Sequence, residues 1–302
     1  PAFSLGASIA RNFIGYSFWG SRNPGEVQAH IDNSDVTADG DITLTVTSEQ
    51  TINAVVEAVS TALAASGSSG TTISVAGLWA QNDIAVLVRA FVDGSPIKIE
   101  SGGVISLSAS DTSIIVADVQ ATSIAGTLAG SSGTAVSVGV SLAKNLISNE
   151  VAAFIKNATS VKSLLGAITL SAVESATITA TSIAASASAA IAGTTGISFS
   201  GAGAVALNSI FTKTHAGIES SNVVSATDVT ISASDSSTIL AKILAGSASV
   251  GGCGTTGVGV SLGAAVAQNF IGWDGGTRSP AEVHAYIKNS SVEASGDIEL
   301  TA

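Results

Sequence analysis

The 302-residue chain carries 22 acidic and 11 basic side chains, and its formal charge of -11 argues against nucleic acid and anionic membranes as partners. Apolar residues make up 46% of the chain, but only 4% of residues are aromatic and there is no Met, so any core must be built from small and β-branched side chains. The single Cys253 excludes an internal disulfide, and no apolar run of about 18 residues predicts a membrane-spanning helix.

In chain order, the first recurring element is a predicted strand of small apolar residues that closes on asparagine. "LGASIARN" has copies in "SVAGLWAQN", "SVGVSLAKN", "GAGAVALN" and "LGAAVAQN". Stacked asparagines can hydrogen-bond to one another, or each can simply tolerate a turn conformation. The predicted asparagine ladder consists of Asn12, Asn82, Asn145, Asn208 and Asn269.

Two of the five copies are followed by an insertion, "NFIGYSFWGSRNPGEV" in the first and "NFIGWDGGTRSPAEV" in the last. Aromatic and Arg side chains are favoured at binding surfaces, and this chain has few aromatic residues. The alternative is that the rings fold back over the edge of the coil beneath them. The candidate residues for contact with a ligand or another fibre are Tyr16, Phe18, Trp19, Arg22, Trp273 and Arg278.

Two further predicted strands recur in every copy. A short one enters a turn, as in "AHIDNS" and "AYIKNS", and a longer one begins as in "GDITLTV" and "GDIELTA". Both alternate apolar with small or polar residues, which is the period of a strand. The segment starting at Glu49 also has apolar residues at helical spacing, but its copies favour a strand there too.

The repeat length of about 63 residues predicts an all-β, elongated parallel β-solenoid or a stacked β-repeat fibre of about five units. We expect one continuous array with approximate units 1–70, 71–133, 134–196, 197–257 and an incomplete 258–302. Val, Ile, Leu and Ala should fill the core, with Ser and Thr outside. One unit could form a single wide coil or three coils of about 21 residues.

Few residues are candidates for metal binding or catalysis. The acidic run "DNSDVTADGD" could present Asp32, Asp35, Asp39 and Asp41 to calcium, but its copy keeps little of the pattern, and a solvated charged edge is the alternative. The three histidines occupy positions that are variable among the units, so we predict no catalytic residue, no metal site and no cofactor. A β-helix polysaccharide-degrading enzyme stays an alternative, although no gathering of acidic and basic residues is visible.

The repeats "GVGVSLGAAVAQN" and "EVHAYIKNSSVEASGDIEL" resemble those of giant bacterial surface proteins of the β-strand-repeat, filamentous-haemagglutinin-like type. The resemblance covers essentially the whole chain and implies export to the extracellular side of a bacterial cell surface. It implies a structural or adhesive fibre segment that acts as a rigid stalk, coat or filament. Expected partners are the same long chain or other copies of it, through end-to-end and lateral contacts, with glycans or another cell surface as further candidates. A glycan-binding adhesin is the alternative function.

Overall fold

The computed structural model describes residues 1–274, 277–278 and 281–302, and the described chain is a parallel β-solenoid. Its strands, in chain order, are β1 (Ala2–Ile14), β2 (Gly25–Asp32), β3 (Val36–Ala38), β4 (Ile42–Ser66), β5 (Ser69–Ile84), β6 (Val86–Asp93), β7 (Lys98–Ser101), β8 (Ile105–Ala129), β9 (Ser132–Ile147), β10 (Glu150–Lys156), β11 (Ser160–Ser163), β12 (Ile168–Ala192), β13 (Thr195–Ile210), β14 (Lys213–Glu219), β15 (Asn222–Ser225), β16 (Val229–Asp235), β17 (Thr238–Cys253), β18 (Thr256–Ile271), β19 (Trp273–Asp274), β20 (Thr277–Arg278), β21 (Glu282–Lys288), β22 (Ser291–Ala294) and β23 (Ile298–Thr301).

Four parallel sheets run along the stack. We call them sheet A (β1, β5, β9, β13, β18), sheet B (β2, β6, β10, β14, β21), sheet C (β3, β7, β11, β15, β22) and sheet D (β4, β8, β12, β16, β17, β23). Strands β19 and β20 pair with each other in antiparallel orientation. The segment from Glu49 to Ser66 belongs to the 25-residue strand β4, which confirms the strand prediction.

One repeat forms one coil. Ile42 pairs with Ile105, and Ile105 pairs with Ile168, so each residue lies directly beside its copy in the next unit, with no further coil between them. This register excludes the arrangement of three coils of about 21 residues per unit. Because strands lie about 4.8 Å apart, five coils rise only about 24 Å, whereas a 25-residue strand measures about 80 Å. The coil is therefore much wider than the described stack is tall.

The interior contains two main cores. In the first, which we call the base, sheets B and C pack against the first part of sheet D around Ile105, Leu107, Val88 and Ile155. In the second, which we call the blade, sheet A packs against the later part of sheet D. The blade consists of sheet A together with residues 50–66, 113–129, 176–192 and 238–253 of sheet D.

Ile115, Val119 and Ile178 fill part of the blade core as predicted, but strand β9 does not follow the division into an apolar inside and a polar outside. In β9 the residues on the inward side are Ala135, Ser137, Gly139, Ser141 and Ala143, and Val136, Val138, Val140 and Leu142 lie on the outward side. The physical reason is the narrow gap between the two sheets. A Cβ added at Gly139 would lie 2.7 Å from the carbonyl oxygen of Ala185 on the facing strand, so a side chain does not fit at this position.

Serines connect the two sheets across this gap. Ser60 donates to Ser4, Ser74 donates to Ser60, and Ser123 donates to Ser74, each with an oxygen–oxygen distance of 2.9 Å. Ser137 continues the chain to Ser123 at 3.0 Å. A buried hydroxyl needs a partner, and here its partner is another hydroxyl on the opposite sheet.

Candidate functional site

The predicted asparagines form a continuous ladder inside sheet A. The amide nitrogen of Asn12 donates to the side-chain oxygen of Asn82, and the pattern repeats through Asn145 and Asn208 to Asn269. All four nitrogen–oxygen distances are 2.8 Å. Asn82, Asn145 and Asn208 are buried, whereas Asn12 is half-buried and Asn269 is exposed in the end coils, so the ladder mainly couples successive coils.

The insertion of the first coil is a small hairpin at the corner between sheets A and B. Tyr16 and Arg22 form an antiparallel bridge, and the Arg22 guanidinium donates to the carbonyl oxygen of Ser148 at 3.0 Å. Phe18 and Trp19 contact edge to face at 5.1 Å and are 61% and 87% exposed. The two rings at the hairpin tip therefore extend into solvent.

The insertion of the last coil begins in the same way. Trp273 pairs with Arg278 in antiparallel orientation, as Tyr16 pairs with Arg22, and Trp273 is about half exposed. The side chain of Arg278 lies outside the described residues. The two hairpins leave the same corner of the solenoid four coils apart, about 19 Å along the axis.

Beneath the first hairpin lies a buried polar group that sequence reasoning missed. Asp83 accepts a hydrogen bond from Gln81 at 2.7 Å, and Gln81 accepts one from Arg11 at 3.2 Å. Burial raises the pKa of the Asp83 carboxyl, although Gln81, Lys144 and Arg11 act in the opposite direction. The Arg11 guanidinium also lies 5.0 Å from the centre of the Phe18 ring, so this polar cluster supports the hairpin.

Two histidines meet on the outer face of sheet B. The register pairs His215 with His284, and their rings contact edge to face at 5.4 Å. Burial and the neighbouring His284 lower the pKa of His215. With Glu219, Tyr286 and Lys288 they line a shallow cavity of about 390 Å³. The shared step of 69 residues between the last two copies of this strand was the signal that would have paired the histidines.

The neighbouring column on sheet B is aromatic. His30, Phe91 and Phe154 stack with ring centres 5.0 Å apart, and the Tyr286 ring covers Gly217, which has no side chain. Rings stacked along the axis present their edges rather than their faces to solvent. A sugar packs on the face of a ring, so this column is better suited to stabilising the stack than to holding a glycan.

The acidic run contacts the next coil. Asp35 accepts the backbone N–H of Lys98 at 2.6 Å, and Asp41 accepts that of Val104 at 2.7 Å. Asp32 accepts a hydrogen bond from Asn33, and the backbone of Asp39 lies against Gly102. Within the described residues, no group of three or more His, Cys, Asp or Glu side chains could hold a metal ion.

Three acidic residues stack in the interior where the base meets the blade. Ser48, Asp111, Glu174 and Asp235 occupy successive coils of sheet D, and Asp111 and Glu174 are fully buried. Asn149 donates to Asp111 at 2.8 Å and to Glu174 at 3.3 Å. Burial, and then the charge of Asp111, raises the pKa of Glu174 to about 9. Glu174 is therefore neutral at pH 7 and can donate to Asp111.

Comparison of the chain with protein-family models, curated proteins and solved structures finds no match. The described residues contain no helix long and apolar enough to cross a membrane. The half-buried Cys253 is a free thiol at the end of β17, beside a turn.

Proposed function

We propose that this chain is a structural segment of an extracellular fibre, in which stacked coils form a stiff stalk, coat or filament. The single observation that carries the proposal is the unbroken residue-by-residue register of the coils. Ile42, Ile105, Ile168, Val229 and Ile298 form one continuous column, and the asparagine ladder runs parallel to it. In such an array each coil is stabilised by its neighbours, so rigidity grows with the number of coils.

The geometry supports lengthening of the stack. Within the described chain, β4 pairs only with β8, and β23 pairs only with β16, so the first and last coils each leave strand edges unpaired. An unpaired edge is a template for another strand. A further coil of the same register, from the same polypeptide or from another copy, would fit each edge.

Electron cryo-microscopy of native material from the producing cells tests this function. The expected result is a continuous extracellular fibre with an axial repeat of about 4.8 Å and a cross-section about 80 Å wide. A separate compact particle inside the cell would overturn the proposal. Immunogold labelling of intact cells, with permeabilised cells as the control, tests the location independently of the fibre image.

A glycan-binding adhesin is the second candidate, and the exposed tip of the first hairpin favours it. Trp19 offers a solvent-exposed ring for stacking on a sugar. We expect Trp19→Ala to abolish binding on a glycan array if this function holds. Trp79→Ala is the matched control, because Trp79 is 42% exposed but lies on sheet A outside the hairpin. Equal glycan binding by the wild-type protein, Trp19→Ala and Trp79→Ala would reject the hairpin as the glycan site.

A further inference from the structure

The middle of the outer face of sheet A in the blade is apolar at every position. Four outward columns cross five coils, and we call these twenty positions the apolar face. They are Phe3, Ile73, Val136, Phe199 and Val260; Leu5, Val75, Val138, Gly201 and Leu262; Ala7, Gly77, Val140, Gly203 and Ala264; and Ile9, Trp79, Leu142, Val205 and Val266.

Interior coils expose this face as well as the terminal ones. Trp79, Val140 and Phe199 are 42%, 43% and 44% exposed, although each has a neighbouring coil on both sides. With columns about 6.6 Å apart and coils about 4.8 Å apart, the face measures roughly 26 by 24 Å. That projected area, about 630 Å², is at the upper limit for the largest apolar patch of a typical monomer.

Charge is absent from long segments of the blade. The segments 58–82, 119–143, 175–212 and 243–273 contain no charged side chain, and they pair with one another across the coils. Arg11 and Lys144 stand in the next column, at the border of the face. A face without charges cannot select its partner by ion pairs, so its partner must be apolar over the same extent.

We infer that the apolar face binds the apolar face of a second copy of this chain, as an isologous side-by-side contact. Two such faces would bury about 1,300 Å² in total, within the range of specific protein interfaces. Both surfaces repeat every 4.8 Å, so ridges and furrows of the two copies share one spacing. Gly77 and Gly203 provide open furrows on either side of the Val140 ridge, where an added Cβ would contact nothing.

The physical chemistry disfavours a lipid surface as the occupant. The chain carries a formal charge of -11, so anionic headgroups repel it. Inside a bilayer the unpaired strand edges of the outermost coils would lack hydrogen-bond partners. The inference rests on the proposed fibre role, in which this contact joins two fibres side by side.

Sedimentation velocity over a concentration series from about 1 to 100 µM tests the contact. The expected result is a reversible conversion from 29.5 kDa particles to particles of twice that mass. Val140→Lys should raise the dissociation constant about tenfold or more, because the ammonium group would lose its water in the contact. Val173→Lys is the matched control, since Val173 is 40% exposed on sheet D between Ser110 and Ser234.

A second measurement does not depend on how well Val140→Lys folds. The chain has three tryptophans, so Trp19→Phe with Trp273→Phe leaves only Trp79, on the apolar face. Its emission should shift to shorter wavelength as concentration rises, because association removes the ring from water. An unchanged spectrum together with a constant 29.5 kDa mass would overturn the inference.

Other partners of the apolar face would give different results in these experiments. Masses that grow without limit, and equally in the wild type and in Val140→Lys, would show end-to-end stacking alone and reject the isologous pair. Co-sedimentation of the monomer with phosphatidylcholine vesicles would reject it in favour of a lipid surface. A monomer in solution combined with fibres in native material would reject the lateral contact alone. A dimer combined with a compact particle inside the cell would reject the fibre role alone.

Discussion

At the scale of single residues, several buried polar side chains of the solenoid are satisfied through neighbouring coils. Asn145 accepts from Asn82 and donates to Asn208, whereas Asn12 has a side-chain partner on one side only. An unpaired buried polar group costs about 1–3 kcal/mol. The position of an asparagine along the ladder therefore determines how much its loss destabilises the protein.

We expect Asn145→Ala to lower the free energy of unfolding by about 2–5 kcal/mol, because it leaves one donor and one acceptor unpaired. Asn12→Ala leaves only the Asn82 oxygen without its donor and should cost about half as much. Chemical denaturation of the two variants measures the difference. Equal losses would show that the ladder does not act through its hydrogen bonds.

The buried Glu174 makes stability depend on pH. Its folded pKa of about 9 is raised above the ordinary value of 4.5, so the folded state keeps a proton that the unfolded state releases. The stabilising contribution is complete below about pH 4.5 and declines as pH rises toward 9. The raised pKa of Asp111, caused mainly by burial, has the same sign.

Glu174→Gln should remove most of this pH dependence and raise the free energy of unfolding at pH 8 by about 1–3 kcal/mol. The amide can donate to Asp111 at every pH, as the protonated carboxyl does. Melting temperatures at pH 5 and pH 8 provide the measurement. Glu57→Gln, at an exposed position on β4, is the control and should leave the slope of stability against pH unchanged.

At the scale of strands, the sequence predicted where the strands lie better than it predicted which face of each strand is buried. Alternation identified β4, β8 and β12 as strands and the asparagine column aligned the copies, since both signals depend only on spacing. Alternation does not say which face is inside. In β9 the larger Val and Leu residues suggested the interior, but they face outward, and the facing backbone leaves no room for a side chain at Gly139.

Contacts between residues far apart in the sequence also could not be predicted from the alternation within single strands. Asp111, Glu174 and Asn149 lie on different strands or corners, and their contact follows from the coil register. The same is true of His215 and His284. The asparagines and the hairpin residues could be named in advance because the repeat itself marks them. The number of residues per coil could not be predicted, because one wide coil per unit and three smaller coils per unit both preserve the alternation.

Two glycines of the blade test the importance of its narrow gap. Gly139→Ala should lower the free energy of unfolding by about 1–3 kcal/mol, because the new methyl group would meet the backbone of Ala185. Gly203→Ala places the same methyl group in open space on the outer face and should cost nothing. Thermal unfolding of both variants measures the difference in stability. An unchanged stability of Gly139→Ala would show that the gap between the sheets can widen.

At the scale of the whole molecule, the coils are interchangeable units. Gly70 pairs with Gly133, so removal of residues 71–133 joins two chain segments that already occupy equivalent positions. We expect this deletion variant to keep its β-sheet circular dichroism and a cooperative unfolding transition. Glu174 would then stack on Ser48, and Asn149 would still contact it.

Deletion of residues 71–101 is the control for the coil deletion. It removes about half a coil and places strands of different sheets in one register, so every side chain behind the junction loses its partner. This variant should aggregate or fail to fold. Similar behaviour of the two deletion variants would contradict the one-coil repeat.

The width of the coil also determines how a fibre of this kind would bend. Each added coil extends the stack by about 4.8 Å but lays down a layer about 80 Å wide, and the blade is only two sheets thick. Such a cross-section has the mechanics of a plank. For a plank of uniform material, bending stiffness differs between the two transverse directions by the square of width over thickness. A fibre built this way would flex across its flat side and resist bending in its own plane.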